Sequence, residues 1–296
     1  KANFSNTKNE LVNSNKFSLN NTQLLLGSMT ELRSRIIAQQ NYNLKTLSLV
    51  HGDGFGILDE PLFGKIILKY YADKIIGYGD FYLNYQNDYS YTINSKVYYL
   101  PTNSSIIYKN YSQKHYGPLR KDIVFCYCPT SLSGYRARYG PFRDTSDYEY
   151  VQWHKILVKH FKNNISFKLH PKNKFGEYKK YDCKYIDGDL INNFNKIDVF
   201  IFDYVSTALF YACASNKPII FFDIGLRNIN KKILNKLKER VIYINLLEDN
   251  IPSLKEIFTL ILYKKKNNDF SKFFSLTNNN YNRIKAINKI LLNNDQ

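Results

Sequence analysis

The chain has 296 residues, of which 44% are hydrophobic and 23% charged. That balance excludes a disordered chain and leaves room for one large domain or two. Its 42 Lys and Arg against 25 Asp and Glu give a net charge of +17, which favours anionic partners such as phosphates, nucleotides, acidic lipid surfaces or nucleic acid.

No apolar run in the sequence approaches the ~18 residues that a membrane-crossing helix needs. The excess of Tyr and Phe, 26 and 20 against one Trp and one Met, accompanies many Asn, Lys and Ile. All of these use AT-rich codons, so genome bias accounts for part of the positive charge. Four cysteines, Cys126, Cys128, Cys183 and Cys213, form neither CxxC pairs nor a regular framework, which predicts free thiols in a reducing compartment. Cys126 and Cys128 alternate along an apparent strand, a core-packing pattern. The chain starts at Lys1 instead of Met, which reads as a piece of a longer protein.

In chain order, residues 1–23 are rich in Asn, Ser, Thr and Lys and read as weakly ordered or helical. "TELRSRIIAQQ" (30–40) has the capping residue and apolar spacing of a helix start, and "LKTLSLV" (44–50) reads as a buried strand. "HGDGFG" (51–56) leaves that strand through a histidine and three glycines, a turn built for close approach to its own chain or to a ligand. "LDEPLFGKIILKYYA" (58–72) reads as a helix with Pro61 in its first turn, and "KIIGYG" (74–79) as the next strand.

The rhythm repeats downstream. "DIVFCYCP" (122–129) predicts a strand, and "SDYEYVQWHKILVKHF" (146–161) a helix with Trp153, Ile156, Leu157 and His160 on one face. "ISFKLHP" (165–171) predicts a strand, "DLINNFNK" (189–196) a short helix and "DVFIFDY" (198–204) a strand. "STALFYACASN" (206–216) follows as a helix and "KPIIFFD" (217–223) as a strand. This alternation implies an α/β fold with a mostly parallel sheet and helices on both faces.

Ligands of such sheets bind beyond the carboxyl ends of the strands. The residues there form a polar set: His51 with Gly52 and Gly54; Pro129, Thr130 and Ser131 with Arg136, Arg138 and Arg143 downstream; His170; and Asp203, Ser206 and Thr207. Ser206 and Thr207 fall at a helix start, where free N–H groups and the helix dipole favour a phosphate.

Three segments resemble the CDP-glycerol glycerophosphotransferase family of bacterial surface-polymer transferases. "VFCYCPT" (124–130) is similar to its strand followed by Pro-Thr, "FKLHP" (167–171) to its Lys-Leu-His-Pro, and "DVFIFDYVSTALFYACASNKPIIFFD" (198–223) to its Asp-Tyr-Ser-Ser helix start followed by Lys-Pro-Ile-Ile. "HGDGFG" is similar to a His-Gly in that family, with additional glycines.

The resemblance covers about residues 45–225 and implies a GT-B type fold, two Rossmann-like domains facing each other across a cleft. We place an acceptor-side domain at 1–118, with strands expected upstream of Lys1, and a donor-binding domain with closing C-terminal helices at 119–296. The resemblance implies that His51 is the base for the acceptor hydroxyl and that His170 is a donor-phosphate ligand or second acid/base group. It makes Ser206 and Thr207 phosphate ligands, with Lys168, Asp203, Thr130, Arg136, Arg138, Gly52 and Gly54 around the donor. The family's Tyr-Ser-Ser is Tyr204, Val205, Ser206, Thr207 here, so either hydroxyl can be the one that meets the phosphate.

The expected protein is therefore a transferase without metal or other cofactor. It moves a glycosyl or glycerophosphoryl group from a nucleotide-activated, CDP-linked donor to a cell-surface polymer or lipid-linked acceptor. It sits in the cytoplasm or peripherally on the inner face of an anionic membrane, touching it through the basic segments "YKKKNNDFSKFF" and "NRIKAINKILLNN". The blander alternatives are a strand-capping role for His51, a structural His170, solvated arginines and a solvated C-terminal helix face. Two rival functions remain: a metal-dependent sugar transferase using Asp187 and Asp189, where Asp189 is otherwise a helix N-cap, and a non-catalytic polyanion binder. The sequence has no helix-turn-helix, zinc-knuckle or RNP-like pattern, so nucleic acid is not among the expected partners. It also lacks the GxSxG elbow that would make "HGDG" an esterase loop.

Overall fold

The computed structural model describes residues 24–27, 32–40, 45–49, 73–78, 96–100, 122–129, 147–169 and 181–264. They build two sheets in which every strand pairing is parallel. The first contains β1 (Leu24–Gly27), β2 (Lys45–Leu49), β3 (Lys74–Tyr78) and β4 (Lys96–Leu100), in that spatial order, with helix α1 (Leu32–Gln40) between β1 and β2 in the chain. The expected helix at 58–72 and all of residues 1–23 lie outside the described residues. Two of these strands extend the sequence reading, which finds β2 and β3 but neither β1 nor β4. Neither "LLLG" nor "KVYYL" alternates apolar with polar residues.

The second sheet has six strands: β5 (Phe125–Tyr127), β6 (Ile165–Phe167), β7 (Lys184–Tyr185), β8 (Val199–Phe202), β9 (Ile219–Asp223) and β10 (Ile242–Asn245). Its spatial order is β10-β9-β8-β5-β6-β7. Between them run α2 (Asp147–Phe161), α3 (Leu190–Asn193), α4 (Thr207–Ala214) and α5 (Lys231–Arg240), with α6 (Leu254–Tyr263) after β10.

Alternate residues of the central strands enter two separate cores. Cys126, Phe200, Phe202 and Phe221 pack with Leu209, Ala212 and Cys213 of α4 and with Ile233 and Leu237 of α5. Phe125, Tyr127, Ile201, Ile220 and Phe222 pack on the opposite face with Trp153, Leu157 and Phe161 of α2 and with Ile257 and Ile261 of α6. Helices on both faces are the reason "VFIF" and "IIFF" are continuously apolar instead of alternating with polar residues. Each fully buried Phe contributes roughly 2–3 kcal/mol.

Helix α2 is rotated from the expected face. Its buried stripe is Tyr150, Trp153, His154, Leu157 and Phe161, whereas Ile156 is 49% exposed. The aromatic residues win the sheet-facing positions: Phe161 lies 5.2 Å from Phe125, and Trp153 lies 5.4 Å from Phe222. His154 is enclosed edge-on by Tyr127, Phe167 and Tyr181. It packs as an aromatic ring.

Both sheets are pinned at their amino ends by an aspartate that precedes one strand and bonds its neighbour. Asp73 accepts from the Thr46 N–H at 2.6 Å and from its hydroxyl at 2.8 Å. Asp198 accepts from the Val124 N–H at 2.8 Å, while the Val124 carbonyl accepts from Asp198 and Val199 at 3.0 and 3.2 Å. A one-residue slip would lose these bonds and exchange the two faces, so the aspartates fix register.

Candidate functional site

In the second sheet the chain runs outward from β5 through β6 to β7, then returns to the other side of β5 as β8 and continues to β10. The helix after β5 covers one face and the helix after β8 covers the other. The connections leaving these neighbouring strands therefore diverge, and a crevice opens at their carboxyl ends. This is the topological switch point. Its surroundings include Cys128 and Pro129 after β5, Lys168 after β6, and the Asp203–Ser206 connection after β8.

Ser206 has extended backbone dihedrals, and its hydroxyl accepts from the Leu209 N–H at 3.4 Å, which makes it the N-cap of α4. The apolar run "ALFYACA" follows directly, so the expected helix start is in place. Thr207 is the first helical residue. Ahead of the cap, Tyr204 and Val205 are buried.

Asp203 is also buried, and the Tyr127 hydroxyl donates to its Oδ2. The Tyr127 ring is held edge-on against Phe167 at 4.9 Å and His154 at 5.3 Å. Backbone bonds join the same three strands: Cys128 N donates to Ile201 O at 3.1 Å, and Lys168 N to Tyr127 O at 2.9 Å. The Lys168 ammonium donates to the carbonyl of its neighbour Leu169 at 3.0 Å.

The Cys126 and Cys128 sulfurs lie 3.8 Å apart. Burial, and then the contact with Cys128, push the Cys126 thiol well above its ordinary pKa. Burial pushes the Cys213 thiol up to about 12. These neutral thiols pack as small hydrophobes, as the sequence pattern implies.

Asp223 ends β9 and accepts from the Gly225 N–H at 3.0 Å, while the Tyr243 hydroxyl donates to its other oxygen. Gly225 has φ +71, and a Cβ there would come within 2.8 Å of Leu247. The positive φ is what favours glycine, since the exposed Leu247 side chain could swing aside.

His51, Gly52, Gly54, Thr130, Arg136, Arg138 and His170 lie outside the described residues. The described members of the expected set, Lys168, Asp203, Ser206 and Thr207, follow the carboxyl ends of β6 and β8, the two strands that flank β5. Asp187 and Asp189 are exposed and follow edge strand β7, which β6 separates from β5. Asp189 occupies the N-cap position of α3, but its side chain makes no capping bond. Asn193 closes the turn instead, its amide donating to the Asp187 and Asp189 carbonyls at 2.7 and 3.0 Å. Among the described residues no group of three or more His, Cys, Asp or Glu side chains is placed to hold a metal ion.

No protein-family model matches the chain, and no curated protein gives a significant sequence match. Solved structures do match. A co-structure of MnaA from S. aureus with UDP aligns over 97% of this chain and 80% of its own, at 12% identity and a TM-score of 0.50. The fold is of the GT-B type. A UDP-N-acetylglucosamine 2-epimerase aligns over 96% of this chain and 76% of its own, at 10% identity and a TM-score of 0.47. The wall teichoic acid polymerase TagF, as its H548A variant, aligns over 85% of this chain and 70% of its own, at 16% identity and a TM-score of 0.42. The assignment rests on the first of these and concerns the fold alone.

Sequence reasoning overlooks Tyr127 and Arg240. Tyr127 stands in plain view as the one hydroxyl-bearing residue of β5. Arg240 ends an amphipathic helix in the stretch after Asp223, for which the sequence reading expects closing helices without placing them.

Proposed function

We infer that the chain is a GT-B type transferase that moves a glycosyl or glycerophosphoryl group from a nucleotide-activated donor to a cell-surface polymer or lipid-linked acceptor. The observation that carries this reading is the switch-point crevice, where the Ser206-capped start of α4 follows β8, Lys168 follows β6, and Cys128 and Pro129 follow β5 between them. The donor diphosphate lies against the first turn of α4, where backbone N–H groups, Ser206 and Thr207 offset its charge. Lys168 adds a cation. The segment 119–296 holds the donor and 1–118 presents the acceptor.

The family resemblance favours a CDP-linked donor. A UDP-linked donor is the second reading, favoured by the fold shared with MnaA, whose structure contains UDP. The acceptor hydroxyl loses its proton to His51 while its oxygen attacks the transferred group. Attack at an anomeric carbon breaks the bond to the diphosphate oxygen and releases a nucleoside diphosphate. Attack at the distal phosphorus of CDP-glycerol breaks the P–O–P bridge and releases CMP. Product identity thus separates glycosyl from glycerophosphoryl transfer. The work is done in the cytoplasm or at the inner membrane surface, with the basic C-terminal segments against anionic headgroups.

Calorimetry with CDP, UDP, GDP and CMP, with and without magnesium, tests the reading. A nucleoside diphosphate should bind without metal, and Ser206→Ala combined with Thr207→Ala should weaken it by about 10- to 100-fold. Absence of binding by all four nucleotides would remove the transferase assignment. Asp187→Asn with Asp189→Asn should leave binding within about two-fold, and so should a chelator. A larger loss in either would instead favour the metal-dependent route.

A further inference from the structure

We propose that Tyr127 and Asp203 form a positioning pair that sets the donor crevice without touching the donor. This rests on the donor-site reading of the switch point. Tyr127 is the last residue of β5, and Asp203 follows the last residue of β8. The two strands are neighbours across the switch point, paired as Tyr127 to Ile201. The hydroxyl bond between the side chains therefore ties the two lips of the crevice where the backbone ladder is ending.

Each partner is fixed from behind. The Tyr127 ring is fully buried against Phe167 and His154, so its hydroxyl has little freedom to follow a moving acceptor. Asp203 is 5% exposed, and Tyr204 and Val205 after it are 6% and 2% exposed. The connector is thus packed from the carboxylate to Ser206, and fixing Asp203 fixes where the cap and first turn of α4 begin. A carboxylate in open contact with a diphosphate would repel it. Held inward by a phenol, it shapes the site instead. Asp203 thereby acquires a role one step removed from direct donor contact.

The test is Tyr127→Phe, which removes one oxygen and leaves the packed ring. Nucleoside diphosphate affinity should fall by about 10- to 30-fold, because losing a bond to a charged group frees the connector that sets the first turn of α4, while affinity for the parent nucleoside stays within about two-fold. Asp203→Asn, which keeps an acceptor for the phenol, should recover part of the loss; Asp203→Ala should not.

Parallel losses for nucleoside and diphosphate would show a merely structural residue and overturn the proposal, as would unchanged diphosphate affinity in Tyr127→Phe. Failure of the unsubstituted protein to bind any nucleoside diphosphate would sink the donor-site reading itself. Ligand-free amide exchange then decides the pair. The amides of residues 205–209 should exchange at least about ten-fold faster in Tyr127→Phe, with those of α6 unchanged. Equal rates in the two proteins would overturn the positioning role independently of any ligand. If Tyr127→Phe does not fold, Asp203→Asn carries the same comparisons, with a smaller expected loss.

Discussion

Replacing His51 with alanine is expected to lower the transfer rate by about 10²- to 10⁴-fold, the usual contribution of a positioned general base. Donor affinity should stay within about two-fold, because the diphosphate is assigned to the first turn of α4. An imidazole with a pKa near ~6.5 is half deprotonated close to neutrality, so the unsubstituted rate should rise with pH through that region and then level off. The alanine variant should lose that limb of the profile. Rapid-quench turnover at saturating donor reads both effects, and a variant with full activity would return His51 to strand capping.

The second large effect is on stability. Arg240 closes α5 and is 3% exposed, yet its guanidinium reaches across to the end of α4. Its Nε donates to the Cys213 carbonyl at 3.2 Å. One terminal nitrogen donates to Ala212, Ser215 and Lys217 carbonyls at 3.3, 2.5 and 3.0 Å. The Ala212 carbonyl also accepts from the Ser215 N–H and hydroxyl, whereas the other three acceptors lie at or just beyond the helix end, where the partial negative charge compensates a buried cation. Burial lowers the arginine pKa, but a guanidinium stays charged.

Arg240→Leu strands several buried acceptors and should cost about 3 to 5 kcal/mol in urea unfolding. Arg240→Lys should recover less than half of that loss, since one ammonium cannot match a fork that spans four carbonyls. A loss below about 1 kcal/mol for the leucine variant would mean that water replaces the guanidinium.

The contrast between these residues shows what a linear reading can and cannot see. Strands β8 and β9 announce themselves, because covering both faces demands unbroken apolar runs. Strand β7, two residues long and half-polar, has no such signature. The closing helices after Asp223 have local signatures too: Ile233 and Leu237 at helical spacing in "KKILNKLKER", and Ser253 with Glu256 as a capping box before "IFTLIL". At the site, Ser206 was legible because capping is local in sequence. The Tyr127–Asp203 bond joins residues 76 apart, and no local pattern encodes such a meeting.

The strand order also has a consequence for synthesis. β5 is the first strand of its sheet to be made, yet it belongs in the middle, and its contact partner Asp198 lies 74 residues beyond Val124. At about 5–20 residues per second, one edge of β5 waits roughly 4 to 15 seconds on the ribosome before β8 exists. During that interval Phe125 and Tyr127 border an unpaired strand edge, the kind of surface that recruits other nascent chains. Slowing translation within residues 128–198 should lengthen the exposure and lower soluble yield, whereas the same slowing after Asn245 should cost little.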